Sequence, residues 1–374
     1  MYALADYADM MADAVRVDAY AAALRHTVRA DSVVADLGAG IGTFALLAAR
    51  FGARKIYAIE PDPAIHLGRA IAAASGLADR IDFIQARSTE VVLQERATVI
   101  VSDMRGTVPQ FERHLPAIAD ARQRLLAQGG VLIPKRDRLW AAVVDAPDVY
   151  ADHVAPWRGS THGLNLHPVE HMLVNTWRKI RLTPDHLLSD SQNVAAVDYH
   201  VMTNPDLDID ATWAAQRPGT AHGLCVWFDS DLIDGVTFSN APEQPRAIHG
   251  QAFFPFAVPV ALSEGDPISV RLQANLVGDD YMWRWTSFGH AQSTLHGVPL
   301  AAQELAKSAA GHVPVLNAQG EVDFFVLSRM KESQPLGDIA REVLARFPAA
   351  AHDWNVTLGR IGELSRKYST DEQN

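Results

Sequence analysis

The chain has 374 residues, 48% of them hydrophobic, and a formal net charge of -11. That is room for two domains, and the acidity argues against a nucleic-acid surface, which needs a basic stripe to neutralise phosphates. A single cysteine, Cys225, excludes an internal disulfide and a cysteine-based zinc site, and no apolar run approaches the roughly 20 residues of a membrane span. The N-terminal MYALADYADMM has neither the basic region nor the apolar core of a signal peptide, so a cytoplasmic protein without a membrane partner is expected.

In chain order, residues 1–30 read as helical, with Met10, Met11, Ala14 and Val15, then Tyr20, Leu24 and Val28 at helical spacing. Strands are expected at Val33–Leu37, Lys55–Ile59, Ile81–Ile84, Thr98–Val101 and Gly130–Ile133. Helices are expected at Thr43–Phe51, Pro63–Ser75 and Leu115–Leu126. Strands and helices alternating at this spacing indicate βαβ units and a parallel sheet. After Pro134 the texture changes. Leu139–Val144, Ala195–Val201, Leu224–Phe228, Gln251–Val258, Pro267–Leu272 and the alternating Tyr281–Trp285 read as strands between Gly, Pro, Asn and Asp clusters, the pattern of an antiparallel barrel or sandwich. Residues 155–172 lack clear periodicity and suit an extended arm. Near the C-terminus, Val313–Leu316 and Asp323–Leu327 can pair as a hairpin around Asn317–Gly320. Two helix faces follow, marked by Ile339, Val343 and Phe347 and by Trp354, Leu358, Ile361 and Leu364.

Two motifs carry chemistry. Asp36-Leu37-Gly38-Ala39-Gly40-Ile41-Gly42 lies between a strand and a helix. Its glycines let the backbone approach a ligand, and the helix N-terminus offers free N–H groups. Glu60 ends the second strand, where a carboxylate can accept from both ribose hydroxyls. Without a third glycine in the dinucleotide spacing, the set favours S-adenosylmethionine (SAM) over NAD. The second motif is Ser102-Asp103-Met104-Arg105-Gly106 followed by Glu112, two carboxylates nine positions apart in a loop after a strand. Beside a sulfonium cofactor, paired carboxylates suit a cationic acceptor, which they would neutralise and aim.

These residues resemble the protein arginine methyltransferase family. Val34 to Pro61 looks like its SAM signature, Asp13-Ala14-Val15-Arg16 with Tyr20 matches a segment just upstream, and Asp103 and Glu112 match its double-glutamate loop without a gap. The resemblance implies an α/β fold: a Rossmann-like SAM-binding domain (31–135) under N-terminal helices (1–30), then a β-barrel domain (136–310) whose arm, 155–172, makes a head-to-tail homodimer. It also implies a SAM-dependent transfer of methyl to a guanidino nitrogen of arginine in a peptide or protein. By residue, it implies that Arg16 holds the cofactor carboxylate, a bidentate match for guanidinium. Asp36, Gly38, Gly40, Gly42 and Glu60 would complete the cofactor site, with Ser88 and Thr89 near the adenine. Asp103 and Glu112 would clamp the guanidinium. Met10, Arg105, His114 and His249 are the remaining substrate-side candidates. Arg105 could pair with a carboxylate when substrate is absent, and His249 corresponds to a Thr-His-Trp loop of the family. Asp103 stands where the family has glutamate, Met104-Arg105 where it has Trp-Met, His114 where it has methionine, and Thr89 where it has glutamate. The alternatives are a methyltransferase of a small guanidine or amine, and a catalytically weak SAM-binding scaffold. The segment 311–374 resembles winged-helix leader-peptide recognition domains, an α+β unit, and could equally be a structural cap.

Overall fold

The computed structural model describes residues 3–158, 160–298, 306–307, 311–351 and 353–369. Gly159, inside the expected arm, lies outside the described residues, as do parts of both segments meeting near residue 310. Two compact units separate near residue 300.

The first unit opens with helices α1 (Leu4–Ala12) and α2 (Ala14–Thr27). Asp13 ends one and begins the other, and its carboxylate accepts the Arg16 N–H as an N-cap. Five parallel strands follow: β1 (Val33–Leu37), β2 (Lys55–Ile59), β3 (Ile81–Ile84), β4 (Ala97–Ser102) and β5 (Leu126–Ile133), in the order β3-β2-β1-β4-β5. Helices α3 (Thr43–Arg50), α4 (Ile65–Ala74) and α5 (His114–Arg124) connect them. The strand order reverses between β1 and β4, which opens a crevice at their carboxyl ends.

Strand periodicity decides which face each residue buries. Val34, Ile56, Ala58, Val99 and Val101 pack with α2, α3 and α4 residues such as Leu24, Ala45, Ala48 and Ile65. Their neighbours Val33, Ala35, Leu37, Tyr57 and Ile100 face the opposite way, towards Leu115 and Ile118 of α5. A sheet buried on both faces needs apolar residues at nearly every position, and β1 is buried throughout.

Beyond Pro134 two antiparallel sheets form. One contains β6 (Arg136–Val144), β9 (Arg178–Ile180), β10 (Gln192–Asp198), β12 (Gly219–Ile233), β13 (Val236–Ser239) and β14 (Gln251–Leu262). The other runs β11 (Leu207–Ala214), β15 (Pro267–Val277), β16 (Asp280–Ser287), β17 (His290–Ser293). Their inward faces, including Leu139, Val226, Phe254, Leu272, Trp283 and Trp285, share one core with the α5 face of the parallel sheet. The parallel sheet and the barrel are therefore one packed body, as the fold expectation requires. The arm region is more regular than its sequence suggested: α6 (Pro147–Arg158), a two-stranded pair β7 (Ser160–Thr161) and β8 (Leu164–Asn165), then α7 (His167–Leu173). Among the described residues no helix is long and apolar enough to cross a membrane.

The second unit corrects one expectation. Asp323–Leu327 is not a strand: it lies inside α8 (Ala318–Lys331), which is followed by α9 (Leu336–Arg346) and α10 (Trp354–Tyr368). The expected turn residue Asn317 is the N-cap, its side chain accepting the Gly320 N–H at 2.8 Å. Val322, Phe325 and Val326 recur at i, i+3, i+4 and pack on Ile339, Val343 and Ile361. The expected partner strand Val313–Leu316 is exposed and pairs with nothing among the described residues. What is described of this unit is three helices without a wing.

Candidate active site

The glycine turn sits where β1 meets α3. Gly38, Gly40 and Gly42 have φ of +65°, +55° and +78°, a region costly to any residue with a Cβ. Space forbids a Cβ as well: at Gly38 it would stand 2.3 Å from Met104 Cγ and at Gly40 3.0 Å from Tyr7 of α1. Asp36 accepts the Ala45 N–H at 2.8 Å beneath the turn, and burial raises its carboxyl to about 7. Glu60, just past β2, accepts the N–H groups of Gly40 (2.9 Å) and Asp62 (2.8 Å), one on each oxygen. A carboxylate has about four lone-pair sites, so each oxygen can still accept one hydroxyl. Ser88, buried, and Thr89, exposed, lie in the short helical turn Ser88–Glu90 that follows β3.

Arg16 closes this cradle from above. Its Nη2 donates to the Met10 carbonyl at 2.9 Å and its Nη1 to Asp103 at 2.7 Å, while Nε is buried without a partner. An orphaned guanidinium N–H costs free energy unless an anion meets it. The donor set thus fits SAM: two hydroxyl-accepting oxygens on Glu60 and an open cationic donor on Arg16 for the cofactor carboxylate.

Asp103 is the centre of a buried polar network. It accepts from Arg16, from the Tyr20 hydroxyl (3.1 Å) and from Arg105 Nε (3.1 Å), and His249 Nε2 lies 3.7 Å away. Burial opposes ionisation here, but His249, Arg105 and Arg16 outweigh it and hold the carboxyl well below the usual range. The faint barrel motif therefore located a true neighbour of Asp103 in His249.

Arg105 makes the expected pair with a loop carboxylate, Asp103, and is bound on its other sides as well. Its guanidinium is fully buried, bonded to Asp103, to Asp137 (2.5 Å), to Ser230 (2.8 Å) and to the Tyr20 hydroxyl. It also lies 4.9 Å from the Phe228 ring and 5.2 Å from that of Phe238. These bonds make Arg105 a tie between the carboxylate loop and the barrel. His114 is displaced from its expected role. Its ring partner is the Tyr199 hydroxyl at 3.2 Å, and Tyr199 donates to Asp137 at 2.6 Å. Burial lowers His114 to about 4, keeping it neutral.

Sequence reasoning missed Asp137, Ser230 and Tyr199. Asp137 carried one weak signal: the lone acid of its strand, between Arg136 and Arg138 and ahead of the apolar run Leu139–Val144. Glu112 lies apart from the network. It is exposed, with φ +43° in the loop before α5. The two loop carboxylates thus differ in kind, one buried and compensated, the other solvated.

Comparison with known proteins follows the same line. The family described as the arginine methyltransferase oligomerization subdomain matches residues 135–286, which assigns the barrel to a class of assembling subunits. An arginine N(omega)-methyltransferase of Streptomyces achromogenes is 27% identical over 270 residues, 70% of this chain and 74% of the relative. A probable histone-arginine methyltransferase of rice is 30% identical over 282 residues, 71% of this chain but 53% of the relative. The chain thus spans about half the length of the plant relatives it matches. In fold it is similar to the Trypanosoma brucei PRMT1 enzyme-prozyme complex (TM-score 0.71, 19% identity, 77% of this chain and 97% of that one). It is also similar to protein arginine methyltransferase 10 of Arabidopsis thaliana (TM-score 0.67, 22% identity, 78% and 98%). With its glycine turn, its Arg16–Asp103 pair and its barrel, the chain is similar in sequence and in fold to protein arginine methyltransferases, and its residues 135–286 match their oligomerization subdomain.

Proposed function

We propose that this protein transfers a methyl group from SAM to a guanidino nitrogen of arginine in a peptide or protein. The observation that carries the reading is Arg16, whose guanidinium binds Asp103 through Nη1, keeps Nε buried without a partner, and acts electrostatically on Asp36 beneath the glycine turn. It sets the cofactor site and the first loop carboxylate side by side. The names of the relatives, which specify arginine as the acceptor, support the same chemistry.

When bound, SAM supplies a methyl group on a sulfonium sulfur; the C–S bond breaks, a C–N bond forms, and the nitrogen loses a proton. The residues divide that work. Glu60 takes the ribose hydroxyls and Arg16 the carboxylate, with Met10 beside them and Ser88 and Thr89 towards the adenine. Asp103 has accepted three donors and is charge-compensated by two arginines, so its part is to aim one guanidinium N–H through its remaining lone pair. Glu112 brings the uncompensated negative charge. It offsets the repulsion between guanidinium and sulfonium and can accept the released proton. A guanidinium pKa above 12 rules out a free neutral nucleophile, so localising charge on one nitrogen is the catalytic task. The barrel's likeness to an oligomerization subdomain supports a homodimer through residues 155–172.

The test is Glu112→Gln. SAM binding by calorimetry should stay within about twofold of the parent, while methyl transfer to an arginine peptide falls on the order of 100-fold, the scale of one lost electrostatic donor or acceptor at a reacting centre. Parallel loss of binding and turnover would refute the assigned role.

A further inference from the structure

The loop Ala247–Gly250 has two sides. Inward it delivers His249 to Asp103. Outward its carbonyls are gripped by cations: Lys179 Nζ donates to Ile248 at 3.1 Å, and Arg181 donates to Ala247 and Ile248. Lys179 in β9 and Arg181 just after it flank the buried Ile180 and are both exposed. The stem of Lys179 fills the space that a Cβ on Gly250 would occupy, 2.8 Å from its Cγ. Arg246 precedes the loop and is exposed; burial and then the charge of Arg246 lower the proton affinity of Arg181, with Asp13 opposing them.

Three cations therefore surround one short loop, and none forms an ion pair among the described residues. The acids nearest them are Asp13, whose charge acts on Arg181, and Asp6, whose charge acts on Lys179; neither forms a salt bridge with them, and both also accept backbone N–H groups. In a chain of net charge -11, three cations against two acids leave a net positive patch on the loop that carries His249, ill-suited to a cationic acceptor unless the acceptor also carries an anion. Repulsion would otherwise slow the approach of an arginine-rich segment.

We propose that Lys179, Arg181 and Arg246 form a carboxylate subsite next to the acceptor pocket, so that the acceptor is an arginine bearing its own free carboxylate. Two sources share that chemistry, the C-terminal residue of a peptide and the free amino acid. The inference rests on the guanidino-methyltransferase reading above. It adds that an internal arginine, whose carboxylate is bound in an amide, is the weaker substrate.

The experiment compares kcat/KM for L-arginine, agmatine, a peptide ending in arginine and the same peptide as its C-terminal amide. The expected result is a preference for the free carboxylate within each pair on the order of tenfold, the worth of one charge-assisted hydrogen bond. The peptide pair and the amino-acid pair together identify the source. In Arg246→Gln and Lys179→Gln the preference should shrink at least threefold, and Lys179→Arg should restore it. Arg246 is exposed and makes no side-chain hydrogen bond or salt bridge among the described residues, so its variant leaves the fold intact. Calorimetry of L-arginine against agmatine, with S-adenosylhomocysteine present, reads the same ratio without turnover. Equal affinities there overturn the subsite, whether or not methyl transfer occurs. Transfer to no guanidine at all, with the binding preference intact, overturns the reaction instead.

Discussion

Arg105 and Asp137 should behave as one energetic unit. Both side chains are fully buried, and Asp137 has only Arg105 and the Tyr199 hydroxyl as partners. Removing one member of such a pair strands the other charge and costs about 3–5 kcal/mol. Arg105→Met strands Asp137 and removes three further bonds from Asp103, Ser230 and Tyr20, so we expect about 4 kcal/mol. Asp137→Asn keeps shape and one acceptor but not charge, and about 3 kcal/mol is expected. The double variant leaves no stranded charge at this pair and should lose clearly less than the sum, with a coupling of about 2 kcal/mol or more. Urea unfolding followed by tryptophan fluorescence suits the measurement, because Trp227, Trp283 and Trp285 are buried in the first unit. Additive losses, within about 0.5 kcal/mol, would refute the claim that burial makes these two groups interdependent.

Three further outcomes are expected. Asp36 titrates at about 7 in the fold against 3.8 for a free carboxyl; its folded pKa is raised, so full stability is present below pH 3.8 and is lost as pH rises to about 7, by about 4 kcal/mol at most. Asp36→Asn, measured by urea midpoints from pH 4 to 8, should flatten that fall. His114 runs the other way: its folded value near 4 lies below the ordinary 6.5, so its contribution is present above pH 6.5 and is lost as pH falls through 4. His114→Gln should remove up to about 3 kcal/mol of that acid sensitivity, and an unchanged slope would mean the ring is not buried neutral. Gly38→Ala should weaken S-adenosylhomocysteine binding at least tenfold in calorimetry, because its Cβ collides with Met104. Gly76→Ala shares the positive φ (+67°) but meets open space, so it should lose about 1–2 kcal/mol of stability with affinity retained; equal binding defects in the two would refute the steric argument.

Legibility followed sequence distance. The five strands of the parallel sheet were readable because each is short, apolar and flanked by turn residues. Trp283 and Trp285 announced a half-buried strand by alternating with Met282 and Arg284. Arg16, Gly38, Glu60, Asp103 and His249 were readable through motif spacing, and the structure gathers them around one crevice. The misses share a cause. Asp323–Leu327 is a short apolar run, which periodicity cannot assign between helix and strand, and only the cap formed by Asn317 settles it. Arg105 could be given a loop carboxylate as partner, but its further partners Asp137 and Ser230 lie 32 and 125 positions away. No local pattern encodes such a contact. Lys179 and Arg181 were similarly silent, as nothing in Arg178-Lys179-Ile180-Arg181 points to a loop some 70 positions on.

Asn240 carries a consequence for anyone recombining this protein. Buried, it takes the Phe228 N–H on its oxygen and donates from its nitrogen to the carbonyls of Thr107 and Gly250. Together with the grip of Asp137 and Ser230 on Arg105, it stitches the carboxylate loop into the barrel. Pro134 looks like a natural cutting point, since the texture of the chain changes there, yet it is a poor one. A chimera that keeps residues 1–134 and borrows a barrel must import the equivalents of Asp137, Ser230 and Asn240, or it will inherit a loop whose arginine has lost its socket.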